Sequence, residues 1–186
     1  MRCFHKKQKV LIQKSEINRA RQFAAKVVGT VNYKDSNQAN VIKIEDDHFI
    51  SKIGEEAVRK VFEKFGKKVK GPDYRIYPGK EKSWESDLYI NQTALAVKTQ
   101  KWTSAENYGL SWTFQQSGLR KDPVLKLPES WVCFVLCNDK NDTFVCYVFP
   151  PFQIKELTFK PPKLPHLLEK KQVVYAEDLP NVIPQK

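Results

Sequence analysis

The chain has 186 residues, 32 Lys and Arg against 21 Asp and Glu, and a formal net charge of +11. That length suits one domain with its own core, and 41% apolar with 12% aromatic residues excludes a disordered chain. No run approaches the roughly 18 apolar residues of a membrane helix, and the N-terminal MRCFHKKQKVLIQK lacks the apolar stretch of an export signal, so an intracellular, cytoplasmic protein with no membrane partner is expected.

The first 34 residues hold nine Lys or Arg against the single acid Glu16, which is +8 of the +11. Such concentration favours a polyanion, nucleic acid or acidic lipid, over an evenly solvated surface. Ser15 reads as the N-cap of a helix through Val28, closed by Gly29, with Ile17, Ala20, Phe23, Ala24 and Val27 along one face. A polar stretch follows, and a second helix is predicted over residues 47–65, ending at Gly66. Strands are predicted at 74–77, 84–90 and 94–100, the last two joined by Asn91-Gln92-Thr93. A helix at 104–116 and strands at 131–137 and 143–149 come next, before a Pro-rich tail read as an elaboration. Cys133, Cys137 and Cys146 lie in apolar strand runs, with no paired-cysteine motif and His5, His48 and His166 scattered. They read as core thiols rather than zinc ligands.

The chemistry-bearing stretch is Ser86-Asp87-Leu-Tyr-Ile-Asn-Gln-Thr-Ala-Leu-Ala96-Val-Lys98-Thr-Gln100. Period-two alternation puts Ala94, Ala96, Lys98 and Gln100 on one face of their strand and Leu95, Val97 and Thr99 on the other. A lysine inside an apolar hairpin needs a partner, because an unpaired buried ammonium is costly. On the second helix Glu55 borders the apolar stripe formed by Ala57, Val58, Val61, Phe62 and Phe65, whereas Glu56 points nearly opposite it and reads as solvated.

Helix Glu55, hairpin Asp87 and strand Lys98 together resemble the PD-(D/E)XK nuclease superfamily, which includes restriction and homing endonucleases. The resemblance runs from about Phe49 to Phe149 and extends to the element order. It implies an α/β fold with a mixed central β-sheet flanked by helices, a restriction endonuclease-like core in αβββαβ order. The basic N-terminal extension would be 1–48, the nuclease core 49–150 and the Pro-rich elaboration 151–186. It further implies Mg²⁺ as cofactor, Asp87 as metal ligand, Lys98 as activator of the attacking water and Glu55 as an assisting acid. The literal Pro72-Asp73 also spells the motif, but Asp73 is ranked below Asp87.

One position departs from the pattern. The second acid belongs two residues before the lysine, where Ala96 stands. Three explanations are open: an inactivating replacement, an acid moved to another element with Glu85 or Glu106 as donors, or a relative that only binds. Gln100, on the Lys98 face, matches a polar residue common after the lysine, and orienting water and lining the rim are equal alternatives for it. Candidate DNA contacts are Arg19, Arg21, Gln22, Lys26, Asn37 and Gln38 in the N-terminal arm, and Lys101, Trp102, Arg120 and Lys121 beyond the hairpin. The expected function is Mg²⁺-dependent cleavage of double-stranded DNA by a homodimer or higher homo-oligomer. The alternative is a non-catalytic nucleic-acid-binding protein on the same fold.

Overall fold

A computed structural model describes residues 1–30, 40–77, 86–116, 121–140 and 143–182. Its helices are α1 (Lys14–Val28), α2 (Val41–Lys64) and α3 (Trp102–Tyr108). Its strands are β1 (Gln8–Leu11), β2 (Val69–Lys70), β3 (Leu88–Ile90), β4 (Thr93–Lys101), β5 (Ser111–Gln115), β6 (Trp131–Asn138), β7 (Val145–Val148), β8 (Phe152–Gln153) and β9 (Lys171–Tyr175). The main sheet runs β1-β7-β6-β4-β3-β2, with β8 also on β6, and β5 and β9 form a separate two-stranded sheet. Only β4 and β6 pair in parallel; the rest are antiparallel. The architecture is mixed α/β.

β6 explains the two-sided packing. Its residues 132–137 are all buried, the near-continuous apolar run expected of a strand covered on both faces. Cys133, Val135 and Cys137 face the α1/α2 side with Leu95, Val97, Ala57, Val61 and Phe62. Val132 and Phe134 face a second cluster holding Trp112, Phe114, Phe152, Ile154 and Val174. All four cysteines are free thiols, three of them buried.

Several predicted elements shift. α2 starts at Val41 rather than 47, because Asn40 caps it by accepting the Lys43 N–H at 3.1 Å, so the expected boundary at 48 falls inside a helix. Residues 74–77 are not a strand; the short edge strand is β2, just upstream. The helix predicted over 104–116 is two elements. α3 stops at Gly109, whose φ of 81° leaves the helical region, and β5 follows, with Trp112 and Phe114 alternating into the second cluster. β1 and β9 were not anticipated, and the tail supplies Phe152, Ile154, Leu157 and Val174 to that cluster. The 91–92 connection is as expected for a two-residue hairpin: Asn91 and Gln92 have φ of 45° and 72°.

Glu56 is fully buried, not solvated. The stripe calculation placed it away from α2's apolar face, but α1 packs on that side and brings cations with it. Glu56 accepts from Arg59 Nε at 2.7 Å and the Tyr74 hydroxyl at 2.9 Å, and pairs with Arg19. Arg59 reaches on to Glu16 at 2.9 Å, which Lys60 also binds at 2.8 Å. Burial opposes ionisation of Glu16, but Lys60, the Gln13 N–H and Arg59 outweigh it and hold its carboxyl below the usual range.

Candidate active site

The β3–β4 hairpin forks at Asp87. Leu88 pairs with Leu95, and β3 begins there, so Val97 has no backbone partner from β3. Asp87 Oδ2 takes that place, accepting the Val97 N–H at 2.7 Å. A second contact holds the turn into β3: Gly71, at φ of 102°, lies so close that a Cβ there would meet the Asp87 carbonyl oxygen at 2.9 Å. Asp87 Oδ1 accepts no hydrogen bond from the described residues. Burial raises the Asp87 carboxyl pKa, against the lowering effects of the Val97 N–H, Lys98 and Lys52.

Glu55 approaches the fork from the α2 side. It can do so because α2 rides unusually close to β4: a Cβ at Gly54 would overlap Thr99 Oγ1 at 1.8 Å. Glu55 is 2% exposed, receives Lys52 Nζ at 2.7 Å and the Ser51 hydroxyl at 3.3 Å. Burial first, and the Asp87 charge second, push its carboxyl pKa up to about 8. Thr99 Oγ1, on the same face of β4, is buried without a hydrogen-bond partner among the described residues.

Lys98 stands on the opposite face of β4. Its ammonium lies 4.9 Å from the Phe114 ring centroid and pairs with Asp122. Asp122 is fixed by its own N–H, which donates to the Gln115 carbonyl at 2.9 Å. The sequence reading missed Asp122, although it is the sole acid between Glu106 and Glu129. Its loop position hid the fact that β5 folds back across β4.

Asp87 lies within electrostatic reach of Glu55, on the α2 side of β4, and of Lys98, on the opposite face. Ala96 packs against the second apolar cluster and carries no ligand atom on its side chain. Glu106 is not the displaced acid: it sits on α3, exposed, holding Trp102 Nε1 at 2.8 Å and Lys140 at 2.6 Å. Glu85 lies outside the described residues. Asp73 is engaged by Arg75 at 2.8 Å and the Tyr77 hydroxyl at 2.6 Å.

Gln100 has a structural task. Its side chain donates to the Gly109 carbonyl at 3.1 Å and accepts the Ser111 N–H at 2.9 Å, bracing the turn from α3 into β5. Among the expected DNA contacts, Arg19 is committed to Glu56 and stacks 4.6 Å from the Tyr74 ring, and Lys101 is paired with Asp46. Arg21 lies over Phe49 at 5.4 Å but remains exposed, as do Gln22, Lys26 and Lys121. Trp102 is half-buried. Asn37, Gln38 and Arg120 lie outside the described residues.

Glu55 and Asp87 are the oxygen-bearing side chains here that could take part in holding a hard divalent cation. Among the described residues, no three His, Cys, Asp or Glu side chains gather into a ready metal cluster. Mg²⁺ does not require one, since it keeps waters and takes one or two carboxylates together with substrate phosphate. Among the described residues no helix is long and apolar enough to cross a membrane. No family model, curated protein or solved structure matches the chain.

Proposed function

We propose that the chain is a Mg²⁺-dependent endonuclease that hydrolyses phosphodiester bonds of double-stranded DNA. The observation that carries this is the hairpin fork, where Asp87 is pinned to Val97 with Glu55 on one side and Lys98 on the other. The element order supports the resemblance to the restriction endonuclease-like core once β5, which leaves the main sheet to pair with β9, is set aside: α2, the antiparallel β2-β3-β4, α3, then β6 parallel to β4. A basic N-terminal region suits a DNA backbone.

In this proposal Asp87 Oδ1 and one further carboxylate hold Mg²⁺, which supplies charge neutralisation at the scissile phosphate. Lys98 orients and polarises the attacking water through its ammonium. Asp122 keeps Lys98 Nζ in place. Glu55, titrating near 8, is able to take or release a proton close to neutral pH. A homodimer or larger homo-oligomer would present two such forks to the two strands of a duplex.

The test is cleavage of supercoiled plasmid, scored as nicked and linear DNA, by the chain and by its Ala96→Glu variant, with Mg²⁺ and with EDTA. Cleavage that needs Mg²⁺ and is lost in Asp87→Asn and Lys98→Ala is expected. No cleavage by either chain, or cleavage indifferent to Lys98→Ala, overturns the proposal. One observation favours a second reading, non-catalytic nucleic-acid binding: Ala96 packs in an apolar cluster while Asp122 is taken by Lys98. That reading requires salt-dependent DNA binding which persists in EDTA and no gain of cleavage from Ala96→Glu.

A further inference from the structure

β1 pairs with β7 and, among the described residues, has no strand on its other side. Val10 faces the α1/α2 core, so Lys9 and Leu11 point to the other face of the sheet, the one that carries Lys98 and Gln100. The register sets Lys9 opposite Tyr147, Tyr147 opposite Leu136 and Leu136 opposite Gln100, a single row across four strands. Over β6 this face is covered by Trp112 and Phe114 of β5, which pack on Phe134. Toward β7 and β1 the burial ends: Tyr147 is half-buried, and Lys9 and Leu11 are exposed.

Two aromatic rings stand at this open end. Trp102, at the start of α3, sets its ring 6.3 Å from that of Tyr147 at a tilt of 44°, a splayed rather than a stacked pair. The indole is held in place, because Nε1 donates to Glu106 at 2.8 Å. Asp139 fixes the first turn of α3, accepting the Thr103 N–H at 3.1 Å and its hydroxyl at 2.6 Å. Lys7 Nζ lies 5.1 Å from the Tyr147 ring centroid and 5.7 Å from that of Phe149. Among the described residues neither Lys7 nor Lys9 has an ion-pair partner. The bordering acids are spent, Glu106 on Trp102 and Lys140, Asp139 on Thr103.

Lysines alone are an ordinary guard on an edge strand. A Trp–Tyr pair is not, since it adds apolar surface to the edge that the charges protect. Preset rings flanked by such ammoniums match planar bases strung on phosphates, the rings stacking on bases of any sequence and the lysines neutralising the backbone. A duplex does not offer those base faces, because they are stacked inside it. We propose that this end of the sheet is a binding platform for single-stranded DNA, with Tyr147 and Trp102 stacking on unpaired bases and Lys7 and Lys9 on the adjoining phosphates. The proposal takes from the nuclease reading only the choice of DNA as the polyanion, and neither Asp87 nor a metal enters it.

The test measures anisotropy of fluorescein-labelled oligothymidylate in EDTA across a KCl series, with a DNA duplex and an oligouridylate of equal length for comparison. The proteins are the whole chain, Tyr147→Ala, Tyr147→Phe, Trp102→Phe, Lys9→Gln and Lys155→Gln. Lys155 pairs with Glu129 on an exposed surface and serves as the distant control. Loss of one stacked base is expected to weaken oligothymidylate binding by Tyr147→Ala about 5- to 150-fold. Tyr147→Phe and Lys155→Gln stay close to the parent, and duplex binding by Tyr147→Ala changes little. Lys9→Gln makes the slope of log affinity against log salt shallower by about 0.7, one phosphate of a single strand. Tryptophan emission falls on binding in the parent and not in Trp102→Phe, a readout that does not depend on the fold of the alanine variant. Equal affinity of Tyr147→Ala and the parent overturns the proposal, as does an equal loss in Tyr147→Phe, in Lys155→Gln or on the duplex. Unquenched emission in the parent, or binding of oligouridylate without oligothymidylate, overturns it too. Plasmid cleavage with Mg²⁺, run in parallel, separates it from the nuclease. Oligothymidylate held through Tyr147 without any cleavage keeps the platform and sinks the nuclease, and cleavage without oligothymidylate binding does the reverse.

Discussion

Glu55 and Glu56 are neighbours on one helix, both buried, and they lie in opposite electrostatic worlds. Glu56 has two guanidiniums and a phenol on its oxygens, and its network continues through Arg59 to Glu16 and Lys60. Glu55 has one ammonium and a hydroxyl, and Lys52 also lies 5.0 Å from the Phe23 ring and 5.7 Å from that of Tyr74. Its neighbour Asp87 adds like charge rather than relief. A saturated buried acid fastens α1, α2 and the Tyr74 segment together. The undersupplied one is the carboxyl that the nuclease proposal assigns to its site.

The largest effect that tests this contrast is at Glu56. Glu56→Ala leaves a buried gap, orphans the Tyr74 hydroxyl and takes from Arg19 and Arg59 a shared partner, and loses on the order of 2–3 kcal/mol in urea unfolding, since Arg59 keeps Glu16 and Glu63 and Arg19 can turn to water. A loss below about 1 kcal/mol would mean the network is decorative. Next is the close approach that admits Glu55. Gly54→Ala forces α2 off β4 and costs about 1–3 kcal/mol, and Thr99→Ala in the same chain restores part of it. A Gly54→Ala protein as stable as the parent contradicts the contact.

The smallest and most telling effect is a gain. The Glu55 carboxyl is raised from 4.5 to about 8 in the fold, so the native state holds its proton where the unfolded chain has released it. Stability from this group is complete below pH 4.5 and falls as pH rises toward 8. Glu55→Gln removes that fall. With the lost Lys52 contact offsetting part of it, the variant should be roughly 1 kcal/mol more stable than the parent at pH 8 and little changed at pH 4.5. Parallel stability–pH curves for the two proteins would show Glu55 to be as well compensated as Glu56.

The half of the fork built by local chain was legible in the sequence. Asp87, Lys98 and the Asn91-Gln92 turn fall within one hairpin, where alternation fixes faces. The partners were not, because they arrive from far along the chain. Glu56 read as solvated since nothing in α2's own pattern announces that α1 covers it. β5 read as helix since Trp112 and Phe114 follow a true helical turn, and only pairing with β9 shows them as alternating. Asp122 carries no local signal at all beyond being one acid before a proline. For Gln100 the strand face was legible, but the turn from α3 into β5 that its amide holds was not.

The order of the strands has a consequence for synthesis. Glu55 and Asp87 leave the ribosome well before β6 can flank β4 and before β9 can pair with β5. β1, made first, must wait for β7. The apolar faces of α1 and α2 are thus present before the central strand that covers them, an interval in which a nascent chain is open to chaperones and to misassembly. The second apolar cluster closes only when β9 emerges, because Val174 belongs to it, so a ribosome-bound chain short of that strand holds Trp112 and Phe114 without their cross-strand partners.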